Sequence, residues 1–397
     1  MGIGRFICQL IHWGPLIALS IIFFISASTI NCVLMYWPLY TDGGTINFVI
    51  FMSWNVLTLY NYFLAAYKGP GFVPPNWRPV KDEHCKKLQY CDSCESYKAP
   101  RSHHCRKCDR CVMKMDHHCP WINTCCGHFN HANFTYFLFF APCGCIHALT
   151  ILIPSIYKAL NFTWYLHHGS RHHLVYLGIG GFLSCMFAIG LAIGVIIAVG
   201  LLFVIQMKSI LKNETGIETW IIEKAEDRDR EEDEEDFVYP YHLGWRRNLT
   251  QVFTLSGRPK SDGFTWDVVD GCNQFTFTEE QLQQKALKRE RTQEYIIVDD
   301  YSGSIIPISK GCTMCCGIPC TDEPRIPVKK GDIVKVTRWK KKWLYGTKLL
   351  SESERAALGK KRQRGWFPRQ CARDYVSTES NGDMESSDQQ PADKKND

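Results

Sequence analysis

Charged side chains are absent from four long stretches of this 397-residue chain. Residues 6–41, 43–67, 131–157 and 172–207 contain no Asp, Glu, Lys or Arg. A helix needs roughly 20 apolar residues to cross a membrane. The sequence therefore predicts a multi-pass α-helical membrane protein with four spans, near Pro15–Trp37, Ile46–Tyr67, Asn133–Tyr157 and Leu174–Met207. No small-residue cleavage site follows the first span, so we expect a retained anchor rather than a signal peptide.

Basic residues are missing from the short loop at 41–44, whereas the segment 68–131 carries eleven Lys and Arg. Positive residues favour the cytosolic side of a membrane. We therefore expect both termini and the segment 68–131 to be cytosolic, with the lipid bilayer as the first partner. The net charge is only +6, and the sequence has no nucleic-acid-binding signature, so no nucleic-acid partner is expected.

Disulfides are not expected, because the cytosol is reducing. The chain nevertheless has 20 cysteines, which favours metal ligands and reactive thiols. Eight of these cysteines fall between residues 91 and 126, in the patterns Cys91-x2-Cys94, His104-Cys105-x2-Cys108-x2-Cys111 and Cys125. Such spacings place thiolates and imidazoles around tetrahedral zinc, but they leave open which ligands share an ion.

The sequence Asp116-His117-His118-Cys119 adds groups that a zinc site does not require. Cys119 is a thiol close to a histidine, and Asp116 is a carboxylate beside that histidine. A free thiol is a weak nucleophile at neutral pH until a base takes its proton. His117 is predicted to be that base, with Asp116 holding its ring in the correct tautomer.

The segment from Cys91 to Phe134 resembles the cysteine-rich domain of the DHHC protein S-acyltransferases. The match includes Asn130 within this segment. It extends beyond the segment to Thr215-Gly216-Ile217-Glu218, where the family has Thr-Thr-x-Glu, and to the element beginning at Asn248. The resemblance implies transfer of a palmitoyl group from acyl-CoA to protein cysteines through an acyl-Cys119 intermediate. It implies two structural zinc ions, one held by Cys91, Cys94, His104 and Cys111, the other by Cys105, Cys108, His118 and Cys125.

The acyl chain is expected to lie within the four-span bundle. Five glycines are predicted to allow close helix approach there: Gly178, Gly180, Gly181, Gly190 and Gly194. Five cations are candidates for binding the coenzyme's phosphates: Lys98, Arg101, Arg106, Lys107 and Lys114.

Residues 293–376 resemble a Src-homology-3 (SH3) barrel, a small β-barrel, with Trp343 at the position of the groove tryptophan. The predicted division begins with two spans at 1–84, the zinc domain at 85–131 and two further spans at 132–210. A segment beside the membrane follows at 211–292, then the SH3-like domain at 293–376 and a disordered tail at 377–397. The tail ends in Lys394-Lys395-Asn396-Asp397, typical of a retrieval signal for the endoplasmic reticulum. These features together resemble the endoplasmic-reticulum member of the family that carries this extra domain. Its expected substrates are membrane-associated and integral membrane proteins with cytosolic cysteines.

Two other functions compete with the enzyme. A zinc module that only scaffolds membrane partners would use Cys119 as a structural thiol. A metal transporter is disfavoured, because conduction pathways usually need polar groups at depth and the spans lack charge. Cys312, Cys315, Cys316 and Cys320 form a second cysteine cluster, which is structural, S-acylated or, less consistently with the spacing, metal-binding. S-acylation of Cys315, Cys316 and Cys320 implies another acyltransferase as a partner.

Overall fold

Four long helices dominate the N-terminal part of the computed structural model. The structure describes residues 3–168, 174–230, 234–305, 323–351 and 363–375, with 307, 310–311, 317–321 and 354. The long helices are α2 (Trp13–Tyr36), α3 (Asp42–Lys68), α4 (His131–Leu160) and α6 (Ile179–Lys212). Each is long and apolar enough to cross a membrane, which confirms the four predicted spans. The fourth begins at Ile179 rather than Leu174.

The long helices pack through small and branched side chains, joined by a few polar pairs. Ala148, Ile151 and Leu152 of α4 are fully buried against its neighbours. The Asn133 amide donates to Asn61 Oδ1 across 3.0 Å, which links α4 to α3. Such bonds satisfy polar groups that lipid cannot solvate.

The glycines of α6 do not have the predicted role in packing. A Cβ built on Gly190 or Gly194 would meet no atom within 4 Å. The same is true of Gly178 and Gly180, and a Cβ on Gly181 would meet only the Leu177 side chain, four residues earlier in the chain. The prediction that these glycines permit close helix approach is therefore wrong. The buried residues of α6 are instead Cys185, Ala188, Ala192, Gln206 and Ile210.

Shorter helices accompany the bundle. They are α1 (Ile3–Leu10), α5 (Phe162–His168), α7 (Gly216–Glu226), α8 (Trp245–Val252) and α9 (Thr276–Glu290). Helix α1 has apolar residues on one side, and its Phe6 and Leu10 pack against the core beside Cys119. Helix α7 begins at a capping box, in which the Thr215 hydroxyl and the Glu218 carboxylate each bind the other's backbone N–H.

Three short antiparallel hairpins form the segment between α3 and α4. They pair β1 (Tyr90–Cys91) with β2 (Ser96–Tyr97), β3 (His103–Cys105) with β4 (Arg110–Val112), and β5 (His117–Cys119) with β6 (Thr124–Cys126). Their turns contain Glu95, Asp109 and Asn123 with φ near 50°. Asn and Asp tolerate this left-handed backbone better than most residues. The tight turns place side chains from both strands of each hairpin close together.

The C-terminal unit, residues 285–397, is compact in its own right. Its described strands are β7 (Gln293–Ile297), β8 (Ile333–Lys340), β9 (Trp343–Lys348), β10 (Arg364–Pro368) and β11 (Ala372–Asp374). They form an open antiparallel sheet in the order β10-β9-β8-β7-β11, so a closed SH3 barrel is not confirmed. Trp343, predicted to line a ligand groove, is fully buried against Tyr301.

Candidate active site

Two groups of cysteine and histidine lie within the hairpins. In each group the four candidate ligand atoms lie within 4.8 Å of one another. The groups are Cys91, Cys94, His104 and Cys111, and Cys105, Cys108, His118 and Cys125. The hairpin of β3 and β4 serves both, because His104 and Cys105 are adjacent and face opposite sides of the strand.

The geometry of both groups fits zinc. Cys94 Sγ lies 3.2 Å from His104 Nδ1, and Cys108 Sγ lies 3.4 Å from His118 Nδ1. Bonds of about 2.3 Å to sulfur and about 2.0 Å to nitrogen in a tetrahedron give a similar S···N separation, roughly 3.5 Å. Three thiolates and one imidazole make a closed set with no position left for substrate, which is the pattern of a structural site.

A third group lies outside these two. The reactive atoms of His117, Cys119 and Cys126 also lie within 4.8 Å of one another. Alternation along β5 explains the separation: His117 and Cys119 share one face of the strand, whereas His118 points to the other. Cys119 is therefore held beside a histidine without belonging to either four-ligand group.

Asp116 is buried and receives three hydrogen bonds. The His117 Nδ1–H donates to Asp116 Oδ2 across 2.7 Å, and the Gln206 amide donates to the same oxygen across 2.9 Å. The backbone N–H of Gly216 donates to Asp116 Oδ1 across 2.7 Å. This arrangement fixes the tautomer of His117 and leaves Nε2 available to Cys119. The order carboxylate, imidazole, thiol is that of an activated nucleophile.

The electrostatics favour a thiolate beside an imidazolium. A hydrogen bond from the Cys126 thiol, together with His117, lowers the pKa of Cys119 to about 5 against the opposing effect of burial. Burial alone would lower the pKa of His117, but the hydrogen bond to Asp116 and the neighbouring Cys119 sulfur raise it to about 9. Burial disfavours a charged Asp116, yet the bond from His117 holds the pKa of that carboxyl below its usual range.

The pH dependence of Cys119 alkylation by iodoacetamide should show whether the Cys119 thiolate is paired with the His117 imidazolium. Because the pKa of Cys119 is depressed in the folded protein, the reactive thiolate is present above about pH 5 and lost below it. In His117→Ala the midpoint should move upwards, towards the value near 8.5 of a free thiol. Mass spectrometry of the peptide containing Cys119 measures the rate, with zinc content followed in parallel. An unchanged midpoint in the variant would contradict the pairing.

A buried ion pair between Arg101 and Glu218 holds in place the backbone N–H that binds Asp116. Both nitrogens of the Arg101 fork donate to the Glu218 carboxylate, each across 2.7 Å, and Glu218 closes the capping box of α7. The first turn of α7 thereby presents the Gly216 N–H to Asp116. Residue 216 contributes only its backbone N–H to this contact, so the missing second threonine of the family motif is not required for it.

Two cations predicted to bind the coenzyme have structural partners instead. Arg101 is buried in the pair with Glu218, and its guanidinium lies 4.3 Å from the centre of the Tyr241 ring. Lys114 is also buried and donates to Asn213 Oδ1 across 2.8 Å. Neither can reach a phosphate, so the prediction is wrong for both. Arg106 and Lys107 are exposed.

The sequence reasoning missed several functional contacts. Gln206, near the end of α6, donates to Asp116 and accepts from His131 Nε2 across 2.8 Å. A lone glutamine in an apolar span was the available signal, because buried polar groups need partners. Asn248, singled out only by resemblance, donates to the Leu211 carbonyl across 2.7 Å and fastens α8 to the end of α6.

Comparison with known proteins identifies the class. The model of the DHHC palmitoyltransferase family matches residues 84–223. The chain belongs to that family and is a protein S-acyltransferase, which confirms the prediction from its motifs.

Individual relatives cover most of the chain. "Palmitoyltransferase ZDHHC6" of Homo sapiens is 49% identical over 377 residues, 91% of each chain. The Danio rerio protein of the same name is 50% identical over 381 residues, again 91% of each. "Probable protein S-acyltransferase 16" of Arabidopsis thaliana is 31% identical over 247 residues, 59% of this chain and 82% of that one.

Proposed function

We propose that this chain transfers a palmitoyl group from acyl-CoA to protein cysteines through a thioester on Cys119. The Cys119 thiolate attacks the carbonyl carbon of the acyl thioester, and the bond to the coenzyme's sulfur breaks. The departing thiolate takes a proton from the His117 imidazolium. In the second half of the reaction, His117 takes a proton from the acceptor cysteine. The acceptor thiolate then attacks the acyl carbon of acyl-Cys119, and the bond to the Cys119 sulfur breaks, which restores the Cys119 thiolate.

One observation carries this proposal. His117 contacts both a buried carboxylate and a thiol that the two four-ligand groups leave free. Each half of the reaction exchanges one thioester for another, so the chemistry needs a placed nucleophile and a proton carrier rather than a large driving force. A scaffold would have no use for a depressed thiol pKa at this position.

Two zinc ions are proposed to stabilise the hairpins. The ions would be held by the two four-ligand groups and would supply folding free energy, because such sites do not form in an unfolded chain. Their sulfur and nitrogen donor sets support this assignment. His118 would fix β5 through the metal, and β5 in turn orients His117 and Cys119.

The acyl chain is proposed to enter the bundle of long helices. A cavity there is lined by residues of all four helices, among them Ile25, Phe51, Gly144 and Val195. Burial of an acyl chain in an apolar site is favourable by about 0.8 kcal/mol per CH₂. The apolar side chains that line this cavity support it as the place where an acyl chain enters the bundle.

Replacement of His117 by alanine should slow acyl-enzyme formation by roughly 10²–10⁴-fold, the usual loss when a general base is removed. Asp116→Ala should act on the same step, because its carboxylate holds the His117 ring. Single-turnover formation of acyl-Cys119 from labelled palmitoyl-CoA measures the rate.

His103→Ala is the matched control, since that histidine belongs to none of the three groups. A near-normal rate in His117→Ala would show that another group activates the thiol.

The proposed location is the endoplasmic-reticulum membrane, with both termini and the active site cytosolic. The four spans and the basic segment 68–131 support it. Lys394 and Lys395, named in the sequence analysis, lie outside the described residues.

Glycosylation tags test this topology. A glycosylation sequence inserted near Gly169, between the predicted third and fourth spans, should be modified, and one inserted after Ser377 should not. Endoglycosidase-sensitive gel shifts measure both. The native sequon at Asn161 lies at the end of α4, close to the membrane. The reverse pattern of modification would overturn the cytosolic placement of Cys119.

The C-terminal unit is proposed to be SH3-like and to be regulated by S-acylation. Its five antiparallel strands and the bridge between Tyr301 and Val328 support the first part. Cys320 is exposed, as a modification site must be. Cys315 and Cys316 lie outside the described residues. Another acyltransferase would be the modifying partner, and membrane proteins with cytosolic cysteines would be the substrates of this chain.

A further inference from the structure

The turn that follows Cys119 is held by the chain's N-terminus. Gln9 of α1 donates its side-chain amide to the Ile122 carbonyl across 2.7 Å and to the Ala66 carbonyl across 3.3 Å. The Asn123 amide returns a hydrogen bond to the Gln9 carbonyl across 3.1 Å. One residue of α1 is thus bonded to both ends of the dipeptide that completes the turn.

A second contact lies one residue from the nucleophile. A Cβ built on Gly14, near the start of α2, would stand 2.0 Å from the Pro120 carbonyl oxygen and 2.7 Å from its carbon. Both atoms are backbone, so no side chain can rotate away. Only glycine allows α2 to approach this closely, and Pro120 is bonded directly to Cys119.

Further contacts surround the same turn. The Tyr62 hydroxyl donates to the Trp121 carbonyl across 2.9 Å, and the Trp13 and Trp121 rings meet edge to face at 5.8 Å. Phe6 of α1 packs on the core that contains Cys119 and Ile122. The turn is therefore restrained by α1, α2 and α3 together, over sequence separations that the active-site motif does not reveal.

We propose that Gln9 and Gly14 are positioning residues for the nucleophile. They fix the distance of the turn 120–123 from α1 and α2 and thereby orient the Cys119 sulfur towards the acyl carbonyl carbon. The proposal rests on the function of Cys119 proposed above. A methyl group at residue 14 needs about 1 Å of extra space, since real Cβ atoms do not come nearer than 3.0 Å. Displacements of about 1 Å at a reacting group can cost on the order of 10²-fold in rate.

Gly14→Ala in the full-length protein is the sharper test, and Gly4→Ala is its matched control. A Cβ at Gly4, in α1, would meet nothing within 4 Å. We expect Gly14→Ala to slow single-turnover formation of acyl-Cys119 from labelled palmitoyl-CoA by roughly 10²-fold, with half-saturation unchanged within about twofold. Gly4→Ala should keep the wild-type rate.

Alkylation by iodoacetamide separates positioning from loss of structure. This small reagent needs no fixed approach, so its rate with Gly14→Ala should stay within about threefold of wild type while acyl transfer falls. A destabilised domain would instead release zinc and expose the thiol, which raises alkylation. Equal losses with both reagents, or zinc release from Gly14→Ala, would overturn the role of Gly14 as a positioning residue.

Gln9→Ala tests the hydrogen bonds without adding bulk, with Ile7→Ala as control, because Ile7 is exposed on the same helix. We expect roughly tenfold slower acylation for Gln9→Ala with two zinc ions retained, and no change for Ile7→Ala. Acylation within about twofold of wild type in Gln9→Ala would overturn its role. If the wild-type protein itself forms no adduct on Cys119, the proposed function fails rather than the positioning.

Discussion

Replacing Cys119 by serine is expected to abolish acyl transfer while leaving the fold and the two proposed zinc ions intact. A serine hydroxyl stays protonated beside His117, so no strong nucleophile forms, whereas the pKa of the Cys119 thiol is lowered to about 5. Cys119 belongs to neither four-ligand group, so zinc binding should not depend on it. Hydroxylamine-sensitive incorporation of labelled fatty acid measures the first effect, and metal analysis measures the second.

Two results would contradict this account in different ways. Retained acyl transfer in Cys119→Ser would show that another thiol carries the acyl group. Loss of zinc together with activity would show that Cys119 is a metal ligand and that the division into two groups of four is wrong. Cys126→Ser is a useful companion, because Cys126 lies beside Cys119 and also stands outside both groups.

Removing a proposed zinc ligand should unfold the whole zinc domain, an effect as large as the loss of activity expected for Cys119→Ser. Cys91→Ala or Cys108→Ala should lose zinc and folded protein together. Structural zinc sites bind with about 10–16 kcal/mol, which is as large as the total stability of a typical domain. Metal content per folded molecule and the yield of monodisperse protein measure the result.

Cys85→Ala provides the control for the ligand variants. Cys85 is a partly exposed thiol beside the same hairpins and belongs to no ligand group. Its variant should keep two zinc ions and normal yield. If Cys91→Ala and Cys108→Ala behave like Cys85→Ala, the ligand assignment is wrong.

The local arrangement of residues 116–119 could be predicted from sequence because its information is local. The residues from Asp116 to Cys119 are consecutive, and strand alternation alone separates His118 from its two neighbours. The ligand spacing indicated zinc but left the pairing of ligands open. The structure brings together the two groups that the family resemblance implies.

The surroundings of the site could not be predicted, because they come from distant parts of the chain. Asp116 is bonded to Gln206 and Gly216, and the turn after Cys119 is bonded to Gln9. No periodicity or motif spacing reports such contacts.

One wrong prediction and one unconfirmed prediction have a physical cause. Arg101 was a candidate for binding the coenzyme's phosphates, but it forms an ion pair with Glu218 of α7, and both side chains are buried. The predicted SH3 barrel rested on short strand patterns, which do not determine whether a sheet closes. The described strands form an open sheet.

A pulse–chase experiment on the intact protein tests the central claim most directly. Full-length protein in lipid nanodiscs receives a brief pulse of labelled palmitoyl-CoA. Unlabelled palmitoyl-CoA and a cysteine-containing acceptor peptide are then added in excess as the chase. Mass spectrometry follows the peptide that contains Cys119. The account predicts that label appears first on Cys119 and leaves it as fast as it appears on the acceptor. Label that reaches the acceptor without passing through Cys119, or that stays on Cys119 while the acceptor is acylated, would contradict it.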